Sequence, residues 1–393
     1  MIAFSWPSRI SSVELWHFEF SRAPRFRGHL NSDVNAPLLA TANIGKTILV
    51  TGAGGCIGSA LVQALASGNP RFLILVDHSE QNLHEINLQL AALGKSSYAA
   101  ILGDILDAPL MAEIFDHYRP QTIYHAAAFK HVPLMESNPI AVVRNNALGT
   151  WELAKTAARF GAERLLMVST DKAVNPRSIM GASKRVAELV LLGLTDSKSN
   201  IENTSLAGTK MNAVRLGNVL GSHGSVGPLF RQQIQRGGPV TITHREATRY
   251  FLMLSETVEL IMAAAATDDS GSIFIPKICE PVKILDFARR LIREVGLETS
   301  RDIEIVFTGL RPGDKLEEEF VYADEALQPS SDERLYRAVG PRRDAGFLET
   351  SLQKISESVR ERNLAALLAA LCSLVPEYKP SETLLSLLNP SLA

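Results

Sequence analysis

Residues 169–176 read Ser-Thr-Asp-Lys-Ala-Val-Asn-Pro and set a carboxylate, Asp171, beside an amine, Lys172, immediately after an apolar run. Such a pair can divide the proton work of an elimination. A neutral amine removes a proton made acidic by a neighbouring ketone, and a carboxylic acid protonates the departing hydroxyl. Each transfer is worth about 10²–10⁴-fold in rate. The amine must be uncharged to act, so burial is expected to lower the pKa of Lys172. A few residues on, Met180-Gly181-Ala182-Ser183-Lys184 spaces Lys184 four residues after Met180, which puts both on one face of a helix. Met180 has no proton to exchange. A D-K pair in a loop is ordinarily solvated surface, but a pair that closes a buried strand at the ligand-facing end of a sheet is a catalytic candidate.

Two sets of elements must position these groups. The strand Arg164 to Thr170 carries the pair at its carboxyl end. Far upstream, Lys46 to Gly58 (KTILVTGAGGCIG) reads as a buried strand, a glycine turn and the start of a helix over Ser59 to Leu65. Gly52, Gly55 and Gly58 suit a tight turn, a phosphate brought close to backbone and a helix packed on its strand, with Cys56 and Ile57 between them. The helix start then offers free N–H groups and a favourable dipole to a pyrophosphate. Cys56 is read as a small filler. A second strand, Arg71 to Asp77, ends on an acid about twenty residues past the glycines, where a carboxylate takes ribose hydroxyls. Asp77 is also placed to cap a helix, since Ser79 and Glu80 follow. An acid here repels a 2′-phosphate and favours NAD, while His78 and nearby basic groups leave NADP open.

The alternation continues with a helix over Asn82 to Leu93 and a strand over Tyr98 to Ile105, whose Asp104 and Ile105 fall beside the adenine position. A helix over Leu110 to His117 precedes a strand over Thr122 to Ala128, in which Ala126, Ala127 and Ala128 let backbone run along a cofactor. A helix from Asn145 to Phe160 leads to the strand ending at Ser169 and Thr170. Parallel strands alternating with helices predict an α/β fold, a doubly wound Rossmann sheet with ligands at the strand ends. From Ala213 the rhythm loosens: a strand and glycine-rich loop, a helix over Leu229 to Arg236, a strand over Val240 to Thr243, a helix over Ser255 to Ala266 capped by Ser255, strands over Ser272 to Ile275 and Ile303 to Phe307, and a helix over Ile284 to Val295. Residues 327–345 read as polar loop and 350–375 as helix. The expected organisation is an N-terminal arm over 1–45, a dinucleotide-binding domain over 46–215 with later returning segments, a smaller α/β substrate lobe over 216–345 and a helical tail over 346–393.

Composition narrows the class. Of 393 residues, 46% are hydrophobic, enough for a sizeable core, and the net charge is −2 with no basic block, which argues against nucleic acid as a partner. Cys56, Cys279 and Cys372 form no CxxC pair, so neither a metal cluster nor a disulfide framework is expected. No run reaches the ~20 apolar residues of a membrane span. The longest, Leu364 to Val375, reads as a packed helix, and a soluble, cytoplasmic homo-oligomer without a transmembrane segment is expected. His125, His131 and His244 have no partner in sequence and are read as structural.

Together, TGAGGCIG, DHSE, HAAAFKHVPLME, NNALGT, STDKAVNP, MGASK, LGNVLGSHGSVGPLF, ATRYF and GLRPGDKL, in unbroken order from Lys46 to Phe320, resemble the CapD-type polysaccharide-biosynthesis nucleotide-sugar 4,6-dehydratases, which are extended short-chain dehydrogenases. The C-terminal LVPEY (Leu374 to Tyr378) is similar as well. The resemblance implies a bound NAD(P) and a UDP-sugar substrate, most often UDP-N-acetylglucosamine. It implies oxidation at carbon 4, loss of water across carbons 5 and 6, and return of the hydride to carbon 6. In that scheme Asp171 is the acid and Lys172 the base. Thr170, Ser169 and Lys184 sit at the hydroxyl and ribose positions, Asn145 lies on the cofactor side, and Lys130 lines that side of the pocket. Asn218, Arg249, Arg311 and Asp314 hold nucleotide and sugar; arginine forks suit a diphosphate, while a turn role competes for Asn218. Two departures stand out. Met180 replaces the tyrosine that soluble members keep; members with a membrane-spanning N-terminal region often carry Met, which implies a shortened form of that long type. Asp314 stands where Glu is usual.

Two other readings compete. A UDP-sugar 4-epimerase also oxidises carbon 4 but relies on the tyrosine, and a non-catalytic NAD(P)-binding scaffold would need neither proton carrier.

Overall fold

The computed structural model describes residues 42–195, 200–201, 204–205, 208–222, 224–277 and 280–388. Most of the expected N-terminal arm, and Cys279, lie outside them. A nine-stranded sheet organises the chain: β1 (Thr47–Thr51), β2 (Phe72–Asp77), β3 (Tyr98–Leu102), β4 (Thr122–His125), β5 (Arg164–Thr170), β6 (Lys210–Leu216), β7 (Ser272–Pro276), β8 (Ala326–Pro329) and β9 (Leu335–Val339). Their order is β8-β9-β7-β6-β5-β4-β1-β2-β3. From β3 across to β7 every pairing is parallel; β9 and β8 close the edge as an antiparallel hairpin. The strand order reverses between β1 and β4, which opens the crevice where such sheets take their ligands.

The two-residue period of the strands divides the core. Leu49, Ile74, Ile123, Leu165, Met167 and Ile273 face one side, and Ile48, Val50, Leu73, Leu75, Leu166, Val214 and Phe274 the other. Buried on both faces, these strands read as continuous apolar runs rather than alternating ones. On the second face lie α1 (Cys56–Ser67) and α2 (Glu80–Ala92). On the first face, α3 (Ala108–Tyr118) and α4 (Val132–Glu136) are followed by α5 (Pro139–Val143), one π turn over Arg144–Leu148, α6 (Gly149–Arg159) and α7 (Ile179–Leu194). A smaller lobe has its own core around Phe230, Val240, Ile242, Phe287 and Leu291, with α8 (Val226–Gln235) and short strand pairs.

Several sequence readings change. The helix expected from Asn145 starts at Pro139, because proline suits a first helical turn, and it passes through the π turn. The strand expected through Ile105 stops at Leu102, where Asp104 opens a turn by accepting the Leu106 N–H at 3.0 Å. The strand expected through Ala128 stops at His125. Ser255 is not a cap. In α9 (Leu254–Ala266) the cap position is Met253, whose N–H reaches Glu256 at 3.4 Å and whose carbonyl accepts from Thr257 at 2.8 Å. The region 327–345 is not loop throughout: it contains β9 and most of β8. That hairpin was illegible because β8 is exposed along its whole length and ends at Pro329, which an edge strand tolerates. The helical stretch near the C-terminus is two helices after α10 (Ile284–Glu294): α11 (Ala345–Arg360) and α12 (Leu364–Leu374), broken where Asn363 caps the second. As expected, the longest apolar run forms a packed helix, with Leu367, Leu371 and Leu374 fully buried. No helix among the described residues is long and apolar enough to cross a membrane.

Candidate active site

The glycine turn between β1 and α1 leaves no room for side chains. A Cβ at Gly52, whose φ is +67°, would stand 2.6 Å from the Ala127 nitrogen; one at Gly58 would stand 1.9 Å from the Gly52 carbonyl oxygen. Gly54, which the triplet spacing passed over, is equally constrained, since its Cβ would meet the Asn82 backbone at 2.5 Å. Gly55 occupies the cap position of α1 and Cys56 opens the helix. Ile57 is half-buried against the core, and Ile105 is buried beside Gly149. Asp77 is buried at the end of β2 and takes the Gly54 N–H on one oxygen and the Ser79 N–H on the other, both at 2.9 Å. It therefore braces the turn, and Ser79 rather than Asp77 caps α2. Ala126, Ala127 and Ala128 run beside Gly52 as an irregular segment. That segment is held by Asn146, whose Oδ1 accepts the Phe129 N–H at 2.8 Å while its Nδ2 donates to the Phe129 carbonyl at 3.0 Å and to Ser183 at 3.1 Å. Asn145 is buried and donates to Asn146 at 2.9 Å. Lys130 lies within the electrostatic reach of Cys56, and burial lowers its ammonium pKa.

The acid–base candidates occupy a single 3₁₀ turn, Asp171–Ala173, at the end of β5. Asp171 is fully buried; one carboxylate oxygen accepts from the Thr170 hydroxyl at 2.8 Å and from Lys172 Nζ at 3.0 Å, while the other has no partner. Lys172 Nζ also donates to Asn218 Oδ1 at 3.1 Å, which brings that residue into the site, and lies 3.5 Å from Glu318. Burial alone would lower the Lys172 pKa, but the carboxylates of Asp171 and Glu318 outweigh it and raise it. The expectation of a lowered value is thus corrected: the amine faces two acids and rests as an ammonium. The turn can press against α7 only because position 181 is glycine, whose Cβ would fall 2.2 Å from the Lys172 carbonyl oxygen.

Behind the turn, Met180 packs in the apolar core at 3% exposure. Lys184 is buried, which lowers its pKa to about 8, and its Nζ has no hydrogen-bond or ion-pair partner among the described residues. Ser169 points the other way from Thr170, as neighbours on a strand must. It donates to Glu188 at 2.7 Å, inside a buried group where Glu188 and Glu325 hold the guanidinium of Arg215. His125 is a core residue, as expected: it lies between the hydroxyls of Thr51 (2.8 Å) and Thr150 (2.9 Å), and burial lowers its pKa to about 3. His131 occupies the cap position of α4 without a side-chain capping bond, and His244 Nδ1 accepts the Glu246 N–H at 3.1 Å in a local turn.

The arginines expected at the substrate are engaged within the protein. Arg249 is buried and donates to the carbonyls of Thr248, Lys315 and Leu316, with Nε 3.7 Å from Glu318. Arg311, on the surface, pairs with Asp314 at 2.8 Å. Glu318 itself was missed. Its run, Glu317-Glu318-Glu319, reads as solvated acid, yet only the middle residue is buried. Among the described residues no cluster of His, Cys, Asp and Glu could hold a metal.

This sheet, its glycine cradle and the turn at the end of β5 define an extended short-chain dehydrogenase/reductase. The chain belongs to the family described as "Polysaccharide biosynthesis protein", whose profile matches residues 48–340. It is 41% identical over 78% of its length to the capsular polysaccharide biosynthesis protein CapD of Staphylococcus aureus, and 44% identical over 72% to the probable polysaccharide biosynthesis protein EpsC of Bacillus subtilis. It spans about half the length of these relatives, 50% and 46%. At 28% identity it matches both a UDP-N-acetylglucosamine 4,6-dehydratase (inverting) of Campylobacter jejuni, over 76% of this chain and 83% of that one, and a UDP-glucose 4-epimerase of Rickettsia rickettsii, over 77% and 86%. Among solved structures it is similar to Pen from Bacillus thuringiensis, at a TM-score of 0.67 and 26% identity, covering 76% of this chain and 90% of that one.

Proposed function

We propose that this protein is an NAD(P)-dependent nucleotide-sugar 4,6-dehydratase, acting on a UDP-N-acetylglucosamine-type substrate in the making of surface polysaccharide. The observation that carries this reading is the turn of fully buried Asp171 and partly exposed Lys172 near a fully apolar Met180: two proton carriers lie where the strand ends, and no phenol stands at position 180. An epimerase needs no group to protonate a leaving hydroxyl, so the match to an epimerase relative carries less weight than this turn.

The residues present fit a dinucleotide. The cradle of Gly52, Gly55 and Gly58 would admit the pyrophosphate, Asp77 the ribose of the adenosine, and the unpaired Lys184 the ribose of the nicotinamide. NAD is favoured over NADP by Asp77. When bound, the cofactor supplies the hydride acceptor and donor. The chain supplies the rest: Thr170 fixes the Asp171 carboxylate, the Lys172 ammonium passes its proton to Asp171 at 3.0 Å, and the pair then acts, Asp171 giving that proton to the departing carbon 6 hydroxyl and the neutral Lys172 taking the carbon 5 proton.

Incubation with UDP-N-acetylglucosamine followed by mass spectrometry of the sugar nucleotide tests the proposal. Loss of one water is expected. An unchanged mass with inverted carbon 4 would establish an epimerase instead, and an untouched substrate would refute the reading for this sugar.

A further inference from the structure

A lysine ammonium carries only N–H donors, so a neighbour must turn an acceptor toward it. That fixes the amide of Asn218: its Oδ1 takes a hydrogen bond from Lys172 Nζ at 3.1 Å, and its NH2 faces away. Among the described residues this is the one hydrogen bond that the Asn218 side chain makes. The local fold is held by backbone instead. The Asn218 N–H donates to the Tyr250 carbonyl at 2.8 Å, and Asn218 and Val219 pair in parallel with Phe251 and Leu252. Gly217 lets the two segments close, since a Cβ there would stand 2.6 Å from the Tyr250 carbonyl oxygen. Backbone makes the turn, and the side chain is left for Lys172.

We propose that Asn218 is a positioning residue that aims the Lys172 amine without holding its proton. The work assigned to that amine rests on the dehydratase reading, in which Lys172 is an ammonium before its proton passes to Asp171 and a neutral amine afterwards. The Asn218 amide oxygen accepts and cannot donate. In both states, then, Lys172 turns an N–H toward Asn218, and its lone pair is kept off that side.

A carboxylate at position 218 would give the same direction, but it would also stabilise the ammonium and oppose the transfer. Two acids already do so. Burial would lower the Lys172 pKa, yet Asp171 at 3.0 Å and Glu318 at 3.5 Å outweigh burial and Arg249 together. Lys315, with its Nζ 3.6 Å from Glu318, is a further cation packed against this group. A neutral acceptor adds direction there without adding charge. The hold matters because the Lys172 side chain is 23% exposed, so an amine without Asn218 turns to water.

Asn218→Leu, which is similar in size and has no acceptor, tests the role. Turnover of UDP-N-acetylglucosamine should fall about 10²-fold, the cost of a misdirected group, with KM and the unfolding midpoint little changed. Asn218→Ala repeats the measurement without the bulk of leucine. A raised KM with turnover intact would overturn the proposal, because Asn218 would then be holding substrate. Asn218→Asp keeps an acceptor in place and adds charge, so its pH–rate profile should move to the alkaline side by about one pH unit or more. A profile that stays where the wild type has it would count equally against the proposal. A last arm needs no turnover. In protein labelled with ¹⁵N-lysine, the Lys172 ammonium signal, assigned by its loss in Lys172→Met, should reorient more slowly in the wild type than in Asn218→Leu. Equal mobility in the two would overturn the proposal. If the wild type leaves the sugar unchanged, the dehydratase reading fails, while this arm still decides whether Asn218 holds Lys172.

Discussion

At the scale of single residues, partners rather than burial separate the groups proposed for chemistry from those that hold structure. Asp171, His125 and Arg215 are all almost wholly buried, yet their partners differ. His125 lies between two hydroxyls and stays neutral, because burial lowers its pKa to about 3. The unfolded chain binds that proton below about pH 6.5 and the folded protein does not. Its contribution to stability is therefore complete above about 6.5 and lost as pH falls toward 3. Thermal unfolding followed over that window should show a falling midpoint, and His125→Asn should flatten the trend. Arg215 is paired by Glu188 and Glu325 with no exposure, so Glu188→Gln removes one of its two carboxylates and leaves Glu325; a loss of about 1–3 kcal/mol in chemical denaturation is expected. At the turn after β5, Asp171→Asn keeps the shape but removes the proposed acid, and turnover should fall about 10²–10⁴-fold with little change in unfolding midpoint.

At the scale of elements, the sequence was most legible where the pattern is buried and periodic. The bounds of β5, Arg164–Thr170, follow directly from its apolar run and the D-K pair that stops it, and β1, β2 and the glycine turn were equally plain. What could not be read depends on neighbours distant in sequence. The orientation of Arg249 is set by carbonyls some 66 residues away, and the burial of Glu318 by a turn well over a hundred residues upstream, so neither has a local signal. Gly181 had no reading of its own, although α7 can meet the Asp171–Ala173 turn only without a side chain there. Gly181→Ala should push the turn from the helix; a destabilisation of about 1–3 kcal/mol is expected, with a drop in turnover exceeding what the remaining folded fraction explains. Denaturation and activity measured on the same preparation check it.

At the scale of the whole molecule, one sheet places the glycine turn, Asp77 and the Asp171–Lys172 pair at the carboxyl ends of its strands, Lys184 comes from α7, and Glu318 stands 3.5 Å from Lys172 on a later loop. The C-terminal segment locks this arrangement. The Lys379 N–H bonds the Pro176 carbonyl just past the Asp171–Ala173 turn, and Ser381 donates to Glu136, a buried carboxylate that also takes the Ile179 N–H at the start of α7. The parallel, doubly wound sheet follows from the sequence rhythm, whereas its strand order and the edge hairpin of β8 and β9 do not, since pairing partners lie far apart in sequence and an exposed edge strand carries no apolar pattern. The most direct measurement of the account runs the wild type and an Asp171→Asn/Lys172→Met variant on UDP-N-acetylglucosamine in deuterated water. Mass spectrometry of the wild-type product should find one water lost and one solvent deuterium gained at carbon 5, with neither change in the variant. Water loss undiminished in the variant would contradict the account, whatever the glycine turn binds.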